Sequence, residues 1–321
     1  MSAVGRAVAR RAFGDARIRT ASFAVFFALI AIVQIEGYRR SFPTAADRLA
    51  FARGFGDEKT VRFFYGLPHD LLTTGGYVAW RVGGVVSIIA AAWGLLAAVA
   101  ALRGEEDTGR REIVLAGLLT RPRAFAGSMA AVAAGAAVLA AALLAALAAG
   151  GLGAGGSAFL ALAAVSPALV FAGVGALTSQ LLPSLRLALE AGAGVLVAAL
   201  LARVAADTAS GLGWLRWASP LGWVEEMRAF ADPRPALLLL PLAAAAVLTA
   251  AAAALDARRD VGAALISASD SAPPDLRLLS SPAAQALRAE RGSLTAWLAG
   301  VGFFAAVIGL LSDSFSPENL S

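Results

Sequence analysis

Long charge-free stretches alternate along the chain with short charged ones. Residues 20–35, 82–102, 235–255 and 292–312 are uncharged runs of 16, 21, 21 and 21 residues. Residues 124–185 form one run of 62, and 187–206 is interrupted only by Glu190 and Arg203. About 20 apolar residues cross a hydrocarbon layer roughly 30 Å thick, so each run has the length of a membrane helix. The first is extended at its ends by arginines that snorkel. The run of 62 holds two crossings with a turn between them, because Gly150, Gly151, Gly153, Gly155 and Gly156 break the helical pattern. The pattern predicts an all-α integral membrane protein with seven spans.

Composition agrees. The chain has 321 residues, 59% apolar and 15% charged, with no cysteine and one histidine. Its mean hydropathy is +0.73. These values exclude most soluble enzymes, disordered proteins, disulfide scaffolds, cysteine nucleophiles, thiolate zinc sites and histidine metal clusters. A net charge of +5 could suggest nucleic acid. The arginines, however, lie between apolar runs, where they orient a membrane protein. Placing the N-terminus in the cytoplasm puts Arg6, Arg10, Arg11, Arg17 and Arg19 inside. The loop 103–123, Arg186 and the segment 256–291 then also lie inside, and the uncharged glycine turn lies outside. Loop 36–76 carries bases and acids together and runs against the rule, which long loops obey poorly. Seven spans leave the C-terminus outside.

The connecting pieces carry patterns of their own. Residues 1–19 predict a cytoplasmic interfacial helix with Val4, Val8, Ala12 and Phe13 toward lipid; a basic topogenic tail is the other reading. In outer loop 36–76, Thr44 with Asp47 three residues later predicts a short capped helix, either a connector or a lid. Outer loop 207–234 carries Trp214, Trp217 and Trp223 and predicts short helices at headgroup level. The tryptophans form an aromatic belt or touch an exported substrate. The loop 103–123 is the most ordered in pattern, with the acids Glu105, Glu106 and Asp107, the pair Arg110–Arg111, then Ile113, Val114, Leu115 and Leu118 for packing, and Arg121-Pro122-Arg123. A short rigid helix there is what a soluble partner would push on. The acids could hold a hard cation, but the neighbouring arginines neutralise them. Charges within or bordering spans are functional candidates by default; Arg81 and Arg203 are expected to snorkel, and Glu190 to pair with Arg186 one turn away.

Catalytic chemistry is not expected in this chain. A phosphate-gripping loop needs glycine before its lysine, and the one lysine, Lys59, follows Glu58. The lone histidine, His69, falls beside Pro68 in a loop. An ion-coupled transporter usually places carboxylates near the bilayer centre, and the central span positions carry none.

Several motifs together resemble the permease subunits of type-2 ABC exporters, and more closely the actinobacterial exporters of polyketide antibiotics. They are Gly76-Tyr77-Val78-Ala79-Trp80-Arg81, Arg103-Gly104-Glu105-Glu106-Asp107 with Gly109, Arg110 and Glu112 through Gly117, and Gln180-Leu181-Leu182-Pro183 with Arg186. Trp217-Ala218-Ser219-Pro220-Leu221-Gly222-Trp223 and Ala257-Arg258-Arg259-Asp260-Val261-Gly262 complete the set. The resemblance implies a six-span exporter bundle over 20–256, a cytoplasmic linker with a second interfacial helix at 257–293, and a seventh span with an outer tail at 294–321. It implies a bacterial plasma-membrane protein that moves a hydrophobic or amphipathic antibiotic-like molecule outward. Two partner ATPase subunits would bind ATP and magnesium, with no cofactor in this chain. Arg103, Glu105, Glu106, Asp107, Arg110, Glu112 and Arg121 would couple to the ATPase. Tyr77, Trp80, Arg81, Trp217 and Trp223 would line the substrate path or gate. Members usually carry two six-span halves. Asp15 and Thr20 before span 1 echo Glu290 and Thr295 before span 7 at a constant offset. A second permease chain, or a second copy of this one, would complete the bundle. The rival class is a membrane scaffold or immunity protein without a transport cycle.

Overall fold

The computed structural model describes residues 3–55, 59–116, 120–209, 211–259, 265–266 and 281–312. Among these there is helix and no strand. Six helices are long and apolar enough to cross a membrane, within residues 17–41, 74–107, 121–149, 154–181, 185–208 and 235–258. They belong to a large unit, Met1–Ser267. The seventh predicted span is the later part of a helix, Pro282–Ser312, in a separate C-terminal unit, Ala268–Ser321. The predicted outer tail 313–321 and residues 260–264 and 267–280 of the predicted linker 257–293 lie outside the described residues.

Helix α1 (Ala3–Ser41) is one helix of 39 residues. At 1.5 Å per residue it is about 58 Å long, so the basic stretch and span 1 share one continuous helix. α2 (Ala45–Phe55) is capped as its sequence predicts: the Asp47 amide donates to Thr44 Oγ1 at 3.2 Å, and the Thr44 amide donates back to Asp47 Oδ2 at 3.0 Å. The short α3 (Lys59–Tyr65) leads to α4 (Thr74–Asp107), whose Thr73 cap accepts from the Gly76 amide at 3.0 Å. α5 (Arg110–Leu115) is the expected short helix in loop 103–123, although the side chains of 113–115 and all of Leu118 lie outside the description. α6 (Arg121–Ala149) and α7 (Ala154–Leu181) flank the glycine turn. α8 (Leu185–Thr208), α9 (Leu215–Ala218), α10 (Pro220–Glu226) and α11 (Leu239–Arg258) follow, with α12 (Pro282–Ser312) last.

The core centres on α4 and α7, the most extensive helix pair. α1 packs on α6, α11 on α7, and α8 on both central helices. Without a hydrophobic force between helices in lipid, close backbone approach through small residues holds such a bundle. Gly94 shows this most sharply: a Cβ there would lie 2.0 Å from the Ala168 carbonyl oxygen. Within α7, Pro167 removes the amide that would bond the Ala163 carbonyl, and the Ser166 hydroxyl donates to that carbonyl at 2.9 Å instead.

The topology puts α5 and the start of α6 at one end of the bundle, with the α7–α8 link and the last turn of α11. The opposite end carries α2, α3, the glycine turn, α9 and α10. Tyr38 fastens loop 42–73 there: it stacks on Tyr77 at 4.4 Å, and its hydroxyl donates to the Leu71 carbonyl at 2.6 Å.

Candidate functional site

Both ends of the bundle carry buried ion networks. At the α5 end the centre is Glu106, whose side chain is 2% exposed. Its Oε1 accepts from Arg111 Nη1 at 2.7 Å and Arg259 Nη2 at 2.5 Å, and its Oε2 from Arg103 Nη1 at 2.9 Å. Arg103 also donates to the Pro183 carbonyl, Arg111 to Asp256, and Arg259 to Gln180 Oε1 at 2.6 Å. Asp107 accepts the Leu185 amide at 2.9 Å, opening α8, and Arg121 donates to the Arg259 carbonyl at 2.7 Å. One collar thus ties α4, α5, α6, α7, α8 and α11 together. Three guanidiniums, Arg103, Arg111 and Arg259, meet three carboxylates, Glu106, Asp107 and Asp256. Balanced, hydrogen-bonded charge is the condition under which a buried network holds its geometry.

The residues expected to meet an ATPase therefore divide. Arg103 and Glu106 are buried in the collar, while Asp107 and Arg121 anchor α8 and the end of α11. Arg110 and Glu112 are exposed, and Glu105 is partly so, its carboxylate 3.5 Å from Arg110 Nε. Gln180, Asp256 and Arg259 carry no local signal of the collar, because their partners are distant in sequence, and Arg111, only five residues from Glu106, has its second partner, Asp256, equally far along the chain. No group of three or more His, Cys, Asp or Glu among the described residues could hold a metal ion.

At the α9–α10 end, Arg203 does not snorkel. It is 1% exposed, donates to the Phe63 carbonyl at 3.0 Å, and sits 3.2 Å from Glu225 Oε1. Arg216 donates to Asp207 Oδ1 at 2.9 Å and Glu226 Oε1 at 3.1 Å. Burial pushes the Glu225 carboxyl well above its ordinary range, with Arg203 opposing. Gly66, at φ 79°, makes this arrangement possible: a Cβ there would lie 1.9 Å from Glu225 Oε1. Ser219 fastens α10 twice, donating to the Ala199 carbonyl at 2.7 Å and accepting the Leu221 amide.

The aromatic candidates fall into two groups. Tyr77 donates to Gln34 Oε1 at 3.1 Å and Trp80 to the Gly66 carbonyl at 2.9 Å, both in the main core. Arg81 lies over the Tyr65 ring, 3.7 Å from its centroid. Trp217 is exposed, and Trp223 donates to its carbonyl at 2.6 Å while packing in smaller clusters. A cavity of about 40 Å³ lies beside Trp80, Tyr65, His69, Glu225 and Arg228. Glu190 pairs with Arg186 at 2.7 Å on an exposed helix face.

A family model described as "Multidrug efflux system permease Rv1217c, C-terminal domain" matches residues 63–255. That stretch holds α4 through nearly all of α11, including most members of both networks. The multidrug efflux system permease protein Rv1217c of Mycobacterium tuberculosis (strain ATCC 25618 / H37Rv) is 34% identical over 286 residues, covering 87% of this chain and 50% of that protein. The chain spans about half the length of the curated relative it matches.

Proposed function

Because the chain belongs to the family of the multidrug efflux permease C-terminal domain, we propose that it is the membrane subunit of an ATP-driven exporter. Its cargo is a hydrophobic or amphipathic small molecule, drug-like or of the polyketide-antibiotic kind. ATP and magnesium bind to two separate ATPase subunits, and a second six-span bundle, from another chain or a second copy, completes the pump. The α5 end faces the cytoplasm, because it gathers Arg103, Arg110, Arg111, Arg121, Arg123, Arg186, Arg258 and Arg259.

The observation that carries this reading is the division at the α5 end. A buried collar locks six helices into one block, and Glu105, Arg110 and Glu112 stand outside it on and beside a short helix. A force applied to α5 by a soluble partner passes through Arg111 and Glu106 to α4 and α11 without bending long helices. A charged rim of this kind sets register and encounter with a partner more than it sets raw affinity. Basic residues on the ATPase are the counterparts of Glu105 and Glu112.

Reversing the rim charges together, Glu105→Lys, Arg110→Glu and Glu112→Lys, lowers co-purification of the ATPase by roughly tenfold, equivalent to about 1.4 kcal/mol. The melting midpoint of the permease stays within the shift expected for exposed pairs, under about 1 kcal/mol. Unchanged ATPase recovery from the reversed rim contradicts this placement of the contact. Recovery of the wild-type chain without any ATPase favours the scaffold reading.

A further inference from the structure

The segment just after α10 carries a backbone that its side chains do not favour. Arg228, Phe230 and Asp232 have φ of 51°, 68° and 62°. Left-handed backbone is routine for glycine and costly for other residues, most of all for a bulky one such as phenylalanine. Three such residues in so short a stretch persist only where packing holds them, and strain of this kind gathers at ligand clamps and switch segments. The holding contact is the Phe230 ring. It fills the space that side chains on Gly75 and Gly156 would need: a Cβ on Gly75 would lie 2.7 Å from Phe230 Cδ1, and one on Gly156 would strike the same ring. Gly75 lies in the first turn of α4 and Gly156 in the first turn of α7, so the ring is seated between two helix ends.

The backbone of the segment closes on itself. The Ala231 amide donates to the Arg228 carbonyl at 2.9 Å, and the Arg234 amide donates to the Met227 carbonyl at 3.0 Å, which pinches the base of the loop. One side of the loop walls the cavity of about 40 Å³ with Arg228, Ala229 and Ala231. Trp80 of α4 and Ala163 of α7 line the same cavity. Asp232 and Pro233, in the same loop, are exposed. The segment therefore has one side on the cavity and the other in solvent.

We propose that residues 228–232 are a lid over this cavity, latched by the Phe230 ring and loaded by the left-handed backbone. Burial of the ring between the two glycines favours the closed lid. Relief of the backbone at Arg228, Phe230 and Asp232 favours the open one. The two terms oppose each other, so a modest input at the latch shifts the balance between the two states. When the ring leaves its socket, the pinched base at Met227 and Arg234 is the hinge, and the cavity beside Trp80 joins the solvent at the α9–α10 end. The proposal concerns the cavity and its lid, whatever the bundle carries.

The chain has no cysteine, so a single introduced thiol reports access. Ala163→Cys places one on the cavity wall, at a position 1% exposed. The full chain is held in lipid nanodiscs, where both ends of the bundle meet solvent, and is treated with a charged methanethiosulfonate reagent. Labelling of this parent is slow and is set by lid opening. Adding Phe230→Ala speeds it at least about tenfold, the ratio that about 1.4 kcal/mol of lost latch contact gives. Adding Asp232→Val speeds it about threefold, because the exposed site loses no packing but a β-branched side chain is disfavoured at positive φ. Adding Asp232→Gly, which accepts that φ, does not speed it. Ala164→Cys, 0% exposed on the same helix, stays unlabelled in every background and separates lid opening from unfolding. A folding failure of Phe230→Ala leaves Asp232→Val to read. Labelling of Ala163→Cys that neither substitution speeds, or equal acceleration at Ala163→Cys and Ala164→Cys, overturns the proposal.

Discussion

Glu106→Ala lowers the free energy of unfolding by about 3–5 kcal/mol, the cost of leaving buried charge without its counter-ion. The carboxylate accepts from Arg103, Arg111 and Arg259, and all three guanidiniums are buried. Removing it leaves a net positive collar inside the protein, with only Asp107 and Asp256 to answer it. Total stabilities are about 5–15 kcal/mol, so the loss is read as a large drop in melting midpoint and a reduced monodisperse fraction in detergent. Glu106→Gln keeps the volume and one acceptor and falls between the two. Glu105→Ala is the control: its partner Arg110 is 48% exposed, and an exposed pair contributes at most about 1 kcal/mol. An equal effect at both positions contradicts the collar.

Gly94→Val has the second largest effect. The first added atom already falls 2.0 Å from the Ala168 oxygen and 2.7 Å from its carbonyl carbon, and both belong to backbone. No side chain can swing aside, so α4 and α7 must separate along the central crossing. Overpacking costs about 1–3 kcal/mol where neighbours can adjust, and here they cannot, so the upper end applies. Gly94→Ala is milder, because alanine recovers up to about 1 kcal/mol of helix propensity. Gly194 in α8 supplies the contrast. Nothing lies within 4 Å of a Cβ there, and Gly194→Ala is neutral or raises the midpoint.

Much of this organisation was legible in the residue order because it rests on local signals. The charge-free runs located the spans, Thr44 and Asp47 located α2, and the glycine cluster located the turn between α6 and α7. The collar was only half legible. Arg103, Glu106 and Asp107 are spaced three and four apart and share a helix face, whereas Glu105 faces away. Three consecutive acids nevertheless look alike in the sequence, and only the packed structure separates Glu105 from the other two. Asp256 and Arg259 lie about 150 residues further along, and no local pattern joins them to α5. Arg203 was expected to reach water because a lone arginine near a span end usually does. Its partner Glu225 lies on α10, in a stretch where three tryptophans are the stronger sequence signal. Gly94 was one glycine among several in alanine-rich helices, and only the packed structure distinguishes one that meets backbone from one that meets open space.

Under the proposed function, a partner that hydrolyses ATP drives this chain. The most direct test is purification of the chain from its native membrane in mild detergent, with bound subunits identified by mass. The expected result is an ATPase carrying a phosphate-gripping nucleotide loop, recovered with the wild type and reduced by rim charge reversal. Recovery of the folded chain with no ATPase across several detergents contradicts it.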